Sequence, residues 1–514
     1  MRIAIYTEQS LLENDQPLLR GSAVHPGRLG ALLFALLLIL LSLSLPISRS
    51  PLPWVDEVLW TSAANNFHSH TGAIPNVLAD FPGTGRFDLF YGPASLGLAS
   101  VWLSVQPLGM QWNRALSLIA AVLLCALGGG IVWTCTRRIE AALGTAGLLG
   151  ISMMIGSRAT SGRLDALTIA AEFAAIYIVL RSDSPGRMLK PGIWCAAGLC
   201  LAFAVMSTPR ALPNVAAIVG AVLFSLRPFK SAVMKAALTV GVIAVAVSAW
   251  TLSQGLTPLQ WLRLIFAGSR GDAHNSSPLL GGSWGIISGG LLYSGVVFFF
   301  AALVFAVIAL NLREAMRQWR TALLVTAAAV NVALTLALIA RPASYDIYWM
   351  CLPVIAACAG FGGGVSGARK RLALAALIAV SFGWTCLRVF KDAQIISSWS
   401  SSDPQPASDF MAAHVPAGSN VYGPPDFFYY AVVLAGSRYL YPEEWTTPAL
   451  DSHRAPVATG LGNPRFLIWP DGRKLPERFK QVTPVAHFPG AGANHRSRFN
   501  MELGYPGSTL YQVR

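Results

Sequence analysis

Tyr91 to Leu108, YGPASLGLASVWLSVQPL, decides the fold, because this apolar stretch is nearly long enough to cross a membrane by itself. If it crossed, Arg137 and Arg138, which follow the apolar run Asn113 to Thr134, would end outside with most of the later basic clusters. If it lies in the interface as an amphipathic helix, the outcome reverses. Arg137/Arg138, Arg181/Arg187/Lys190, Arg227/Lys230/Lys235, Arg313/Arg317/Arg320 and Arg369/Lys370/Arg371 then all fall on the cytoplasmic side. The charges favour the second arrangement, with a first outer loop from about Ser48 to Gln111.

Composition agrees with a membrane chain. Of 514 residues, 54% are hydrophobic and only 12% charged, against about 25% charged in soluble proteins. The formal net charge of +14 is spread between apolar runs, so it orients the chain in a bilayer and does not form a nucleic-acid-binding face. All seven cysteines lie in or beside apolar segments, with no disulfide framework or zinc-ligand spacing.

Outward from loop one, residues 1–28 read as a cytoplasmic tail, with Arg20 and Arg28 before an uncleaved first span, Leu29 to Leu45. After Asn113 to Thr134, further spans are expected near 141–157, 164–180, 191–207, 211–226, 233–251, 285–310, 321–340, 345–364 and 372–389. That makes about eleven crossings of about twenty residues each. The transmembrane region therefore covers 29–390, and an odd number of crossings puts 391–514 outside as a small mixed α/β domain. Helices are expected over Ser408 to His414 and Phe427 to Leu434, and strands over Asn420 to Tyr422, Arg465 to Trp469 and Val482 to Phe488. The domain carries no nucleophile elbow or phosphate-cradling glycine loop, so support or acceptor docking is its expected role.

Within loop one, Trp54-Val55-Asp56-Glu57-Val58-Leu59-Trp60 sets two acids between indoles at a membrane surface. Aromatics prefer that interface, whereas acids near lipid are costly and are retained for function.

The order of motifs resembles the C-type superfamily of integral-membrane glycosyltransferases, and within it the protein O-mannosyltransferase and lipid A aminoarabinose transferase branch. Val55-Asp56-Glu57 resembles the loop-one acidic pair. Phe90-Tyr91-Gly92-Pro93, with Arg114 beyond it, resembles the interfacial helix leading into span two. Ser161-Gly162-Arg163-Leu164-Asp165 resembles the acidic start of span four, and Ser207-Thr208-Pro209-Arg210 the basic break between spans five and six. Arg341 to Pro353, with Tyr345, is a weaker fifth match. A lysine that the aminoarabinose transferase pattern places near Gly92 is absent.

The resemblance implies a hexosyl- or pentosyltransferase in the bacterial cytoplasmic (inner) membrane, with its site on the periplasmic side. It implies a sugar on a polyprenyl phosphate as donor, and a lipid, glycan or protein as acceptor. Such chemistry needs a carboxylate to take a proton from the acceptor and cations to stabilise the departing phosphate. Asp56 is the expected base and Asp165 the second candidate. Glu57, Tyr91, Arg163, Arg210, Arg341 and Tyr345 are the candidate substrate-binding residues.

Structural roles compete at each position. Acids in a first helical turn complement the helix dipole. Because neighbouring helical residues point about 100° apart, only one of Asp56 and Glu57 is expected to face a site, leaving the other for capping or a salt bridge. Arg163 is the natural ion-pair partner of Asp165, Arg210 could be an interfacial anchor, and Tyr345 could belong to an aromatic belt. His68, His70 and His274 leave a divalent metal cation open, with no complete metal motif. The competing function is a membrane transporter or flippase of a lipid-linked sugar, although no internal repeat is evident; a noncatalytic scaffold is the third.

Overall fold

The sequence expectation for the first outer loop rests on Tyr91 to Leu108 not crossing, and its helix is short. In a computed structural model of the chain, α2 covers only Pro93–Leu103, 11 residues. At 1.5 Å per residue that is about 17 Å, roughly half the hydrocarbon thickness. The structure describes residues 44–50, 52–53, 55–69, 92–152, 155–156, 159–160, 162–182, 190–226, 228–253, 255–263, 299–338, 346–360, 368–435, 439–440, 465–475, 479, 481–490 and 504–514.

Helix α1 (Val55–His68) precedes α2, and the pair packs together. Then follow α3 (Met110–Thr136), α4 (Ile139–Ile151), α5 (Asp165–Ser182), α6 (Pro191–Ser207), α7 (Leu212–Ser225) and α8 (Phe229–Ser253). A helical run over 299–315 leads to α9 (Trp319–Leu338), α10 (Asp346–Gly360) and α11 (Ala368–Ser397). By length and composition, α3 and α8 are each able to cross a membrane alone. The first span expected over Leu29 to Leu45 lies outside the described residues except at its end, as does the start of the one over 285–310.

Three helix contacts order the bundle. Helix α5 packs on α3 and on α6, while α7 packs on α9. The shared apolar core includes Leu124, Phe173, Ile176, Leu201, Ile218, Leu324 and Ile355. Helix α11 continues without a break past Phe390 to Ser397, so the link to the last domain is a helix leaving the bundle.

That domain is mixed α/β. Helix α12 begins at Pro404, four residues before the sequence-based start. The reason is local: the Asp403 side chain accepts from Gln405 N (3.1 Å), and Pro404 occupies the first helical turn. Strands β1 (Val421–Tyr422), β2 (Tyr439–Leu440), β3 (Phe466–Pro470), β4 (Val482–Phe488) and β5 (Ser508–Val513) form one sheet in the order β2-β1-β3-β5-β4, and α13 (Phe428–Ala435) follows β1. Strand β1 pairs in parallel with β2 and β3, whereas β5 is antiparallel to both β3 and β4. Strands β2 and β5 were not expected; β2 has two residues, too few for an alternation to register.

The domain does not close its core alone. Leu52, Val58 and Met110, from loop one and the start of α3, join Met411, Phe427, Phe428, Tyr429 and Phe488 in one apolar cluster. The C-terminal domain is thereby seated on α1.

Candidate active site

Glu57 and Arg114 form the centre of the loop-one face, each with its side chain 0% exposed. The arginine fork is bidentate: Nε donates to Oε1 at 3.0 Å and Nη2 to Oε2 at 2.8 Å. Such parallel bonds fix orientation as well as charge. Tyr429, from α13, donates its hydroxyl to Glu57 Oε1 at 3.0 Å. Asn113 Nδ2 donates to the Tyr429 hydroxyl (3.0 Å) and to Thr61 Oγ1 (2.9 Å). The Thr61 hydroxyl donates to the Glu57 carbonyl one turn back (2.7 Å). Burial pushes the Glu57 carboxyl above the usual glutamate value, opposed by the charge and hydrogen bonds of Arg114 and by Tyr429. Burial, with the charge of Glu57, also holds the Tyr429 hydroxyl well above the usual tyrosine range, so it remains a donor.

The motif before α5 closes over this centre. Gly162 has φ +67°, and a Cβ there would lie 2.7 Å from Glu57 Cγ and 2.8 Å from Asn113 Nδ2. Glycine meets both demands, the left-handed backbone and the close approach. Immediately after it, Arg163 Nε lies 2.7 Å from Asp165 Oδ2. Tyr348 of α10 donates to Asp165 Oδ1 at 2.6 Å, and Asp165 is 1% exposed. Tyr348 is held in turn from α9, where Asn331 Nδ2 donates to its carbonyl (2.9 Å).

A second junction joins the remaining motifs. Gly92 N donates to Ser207 O at 2.8 Å, and Ser95 Oγ reaches the same carbonyl at 3.3 Å. A Cβ on Gly92 would fall 2.0 Å from the Met206 carbonyl oxygen, so only glycine permits this approach. The N-terminus of α2 thus abuts the break after α6, where Thr208 Oγ1 accepts from Arg210 N (3.4 Å). Arg210 itself is half-buried.

Of the sequence candidates, Glu57, Arg163 and Asp165 are buried and engaged, and Arg210 stands at the α2–α6 junction. Asp56 lies on α1, but its side chain is outside the described residues, as are Tyr91, Arg341 and Tyr345 entirely. Sequence reasoning did not single out Tyr429, Asn113, Thr61 or Tyr348 as site residues. Among the described residues, no three His, Cys, Asp or Glu side chains gather to hold a metal ion. The described carboxylates here, Glu57 and Asp165, face arginines, so the described residues do not make a metal centre.

No protein-family model and no curated protein sequence matches the chain. Solved structures do. Its neighbours in fold are C-type glycosyltransferases. The aminoarabinose transferase ArnT from Cupriavidus metallidurans, solved bound to undecaprenyl phosphate, superimposes over 94% of this chain and 98% of its own, with TM-score 0.54 and 13% identity. The Archaeoglobus fulgidus oligosaccharyltransferase, solved with Zn and sulfate, covers 85% of this chain and 67% of its own, with TM-score 0.55 and 16% identity. The same archaeal enzyme, AglB, solved with an inhibitory peptide and a dolichol-phosphate, gives TM-score 0.53 at 14% identity, over 85% of this chain and 69% of its own.

Proposed function

We propose that this chain is a glycosyltransferase that moves a sugar from a polyprenyl-phosphate donor to a lipid, glycan or protein acceptor at the outer face of the cytoplasmic membrane. The observation that carries the reading is convergence. Glu57, the Gly162 to Asp165 turn and the start of α10 meet around buried arginine–carboxylate pairs. They do so in a fold shared with a transferase bound to undecaprenyl phosphate. In this reading the chain crosses about eleven times, with loop 48–111 and residues 391–514 outside.

The chemistry assigns each group one task. With Glu57 committed to Arg114, Asp56 is the acid of the pair left to act as base. It takes the proton from the acceptor as the acceptor atom bonds to the anomeric carbon. The bond between that carbon and the phosphate oxygen breaks, and its electron pair leaves with the polyprenyl phosphate. Arg210 and Arg341 neutralise the departing phosphate, Tyr91 and Tyr345 line its approach, and Arg163–Asp165 holds the turn beneath loop one.

Purified protein in lipid nanodiscs, given a radiolabelled sugar on undecaprenyl phosphate and candidate acceptors, tests the reading. Wild-type protein should transfer label. Asp56→Asn should lower turnover roughly 10²–10⁴-fold with donor affinity little changed, since the amide cannot accept the proton. Asn caps a helix about as well as Asp, so a mild effect would leave Asp56 a capping residue and remove it as the base.

A further inference from the structure

Beside the apolar cluster at Val58, a buried hydroxyl links the outer domain to the acid-bearing helix. Tyr429 is 2% exposed and 372 positions away from Glu57 in sequence, yet its hydroxyl donates to the same oxygen that Arg114 Nε contacts. That hydroxyl also accepts from Asn113 and lies 3.2 Å from Thr61 Oγ1. It therefore ties the outer domain to α1 and to the first turns of α3 at once. Its helix is itself held by neighbouring contacts. Behind α13 the Tyr430 and Tyr505 hydroxyls are hydrogen-bonded, and Tyr505 N donates to Ser401 O at 3.3 Å. Phe427, at the entry to α13, packs edge-on against Phe488.

We infer that the outer domain is a working part of the transferase, with Tyr429 the positioning residue that sets α1, and so Asp56, through the Glu57 carboxylate. This rests on the function proposed above. A carboxylate gripped by Arg114 alone retains freedom about the plane of the fork; the third donor, delivered from a separate layer, removes it. Asp56 immediately precedes Glu57 on the same helix, so small rotations of α1 displace it directly. Proton transfer needs hydrogen-bond contact with the acceptor, so a modest displacement lowers turnover before it affects donor binding.

The test uses the full chain in nanodiscs and compares Tyr429→Phe with Met411→Ala. The latter trims the same apolar cluster without touching the hydroxyl network. Tyr429→Phe should lower kcat roughly tenfold while leaving the donor KM within about twofold. Met411→Ala should lower Tm at least as far yet keep kcat near wild type. A wild-type kcat in Tyr429→Phe would overturn the inference, as would equal kcat losses in the two variants that follow Tm.

Amide hydrogen exchange without substrate supplies the second measurement. Tyr429→Phe should speed exchange across residues 55–68 more than Met411→Ala does, and equal protection would overturn the inference. If wild-type protein transfers no label from any donor, the proposed function fails, while exchange in 55–68 still decides whether Tyr429 sets α1.

Discussion

Removing the positive half of the Glu57–Arg114 pair should be far more damaging than removing both halves. In Arg114→Met, a carboxylate with 0% exposure loses two charge-assisted bonds, of 3.0 and 2.8 Å, and keeps the neutral Tyr429 hydroxyl as donor. Breaking a buried pair in this way costs about 3–5 kcal/mol, or roughly 10²- to 10⁴-fold in the ratio of folded to unfolded protein. Glu57→Gln leaves the converse, a buried guanidinium facing an amide, and should cost a similar amount. The combined variant buries no charge, and the glutamine carbonyl can still accept from Tyr429. It should recover most of the loss, to within about 1–2 kcal/mol of the native chain. Thermal midpoints of the four proteins, read by fluorescence-detected gel filtration from nanodiscs, check the cycle. Single variants that melt like the native chain, or a double variant whose loss equals the sum of the singles, would refute the reasoning.

Gly92→Ala should force α2 away from α6, because the new Cβ meets backbone that has no rotamer to adjust. A loss of about 1–3 kcal/mol should appear as a lower thermal midpoint with reduced transfer, and an unchanged midpoint would show that the junction yields freely. Arg210→Ala should weaken binding of undecaprenyl phosphate while the protein stays folded, and Arg210→Lys should recover part of it, since a point charge still attracts phosphate without the fork. Unchanged affinity in both variants would remove Arg210 from the site.

What the sequence made legible was local or periodic. The Arg163–Asp165 pair follows from a separation of two residues. The helical offset between Asp56 and Glu57 implies that one of the two is used for a salt bridge. It does not say which, because the deciding partner lies 57 residues on. Tyr348 and Tyr429 were illegible for the same reason. Each sits in an aromatic-rich stretch that reads as ordinary core, and each gains its role from a carboxylate 183 or 372 residues away.

The buried charges at this junction also argue for what the junction is for. An apolar cluster already seats the C-terminal domain on Leu52, Val58 and Met110, and an apolar replacement for the ion pair would hold the layers together about as well. Apolar contacts resist rotation of α1 without selecting a direction for the carboxylate, whereas a bidentate fork with a third donor fixes that direction. Stability and turnover should therefore separate in the double variant Glu57→Gln/Arg114→Met. It should melt near the native temperature and transfer sugar poorly, because the network that is dispensable for folding is the one that aims Asp56.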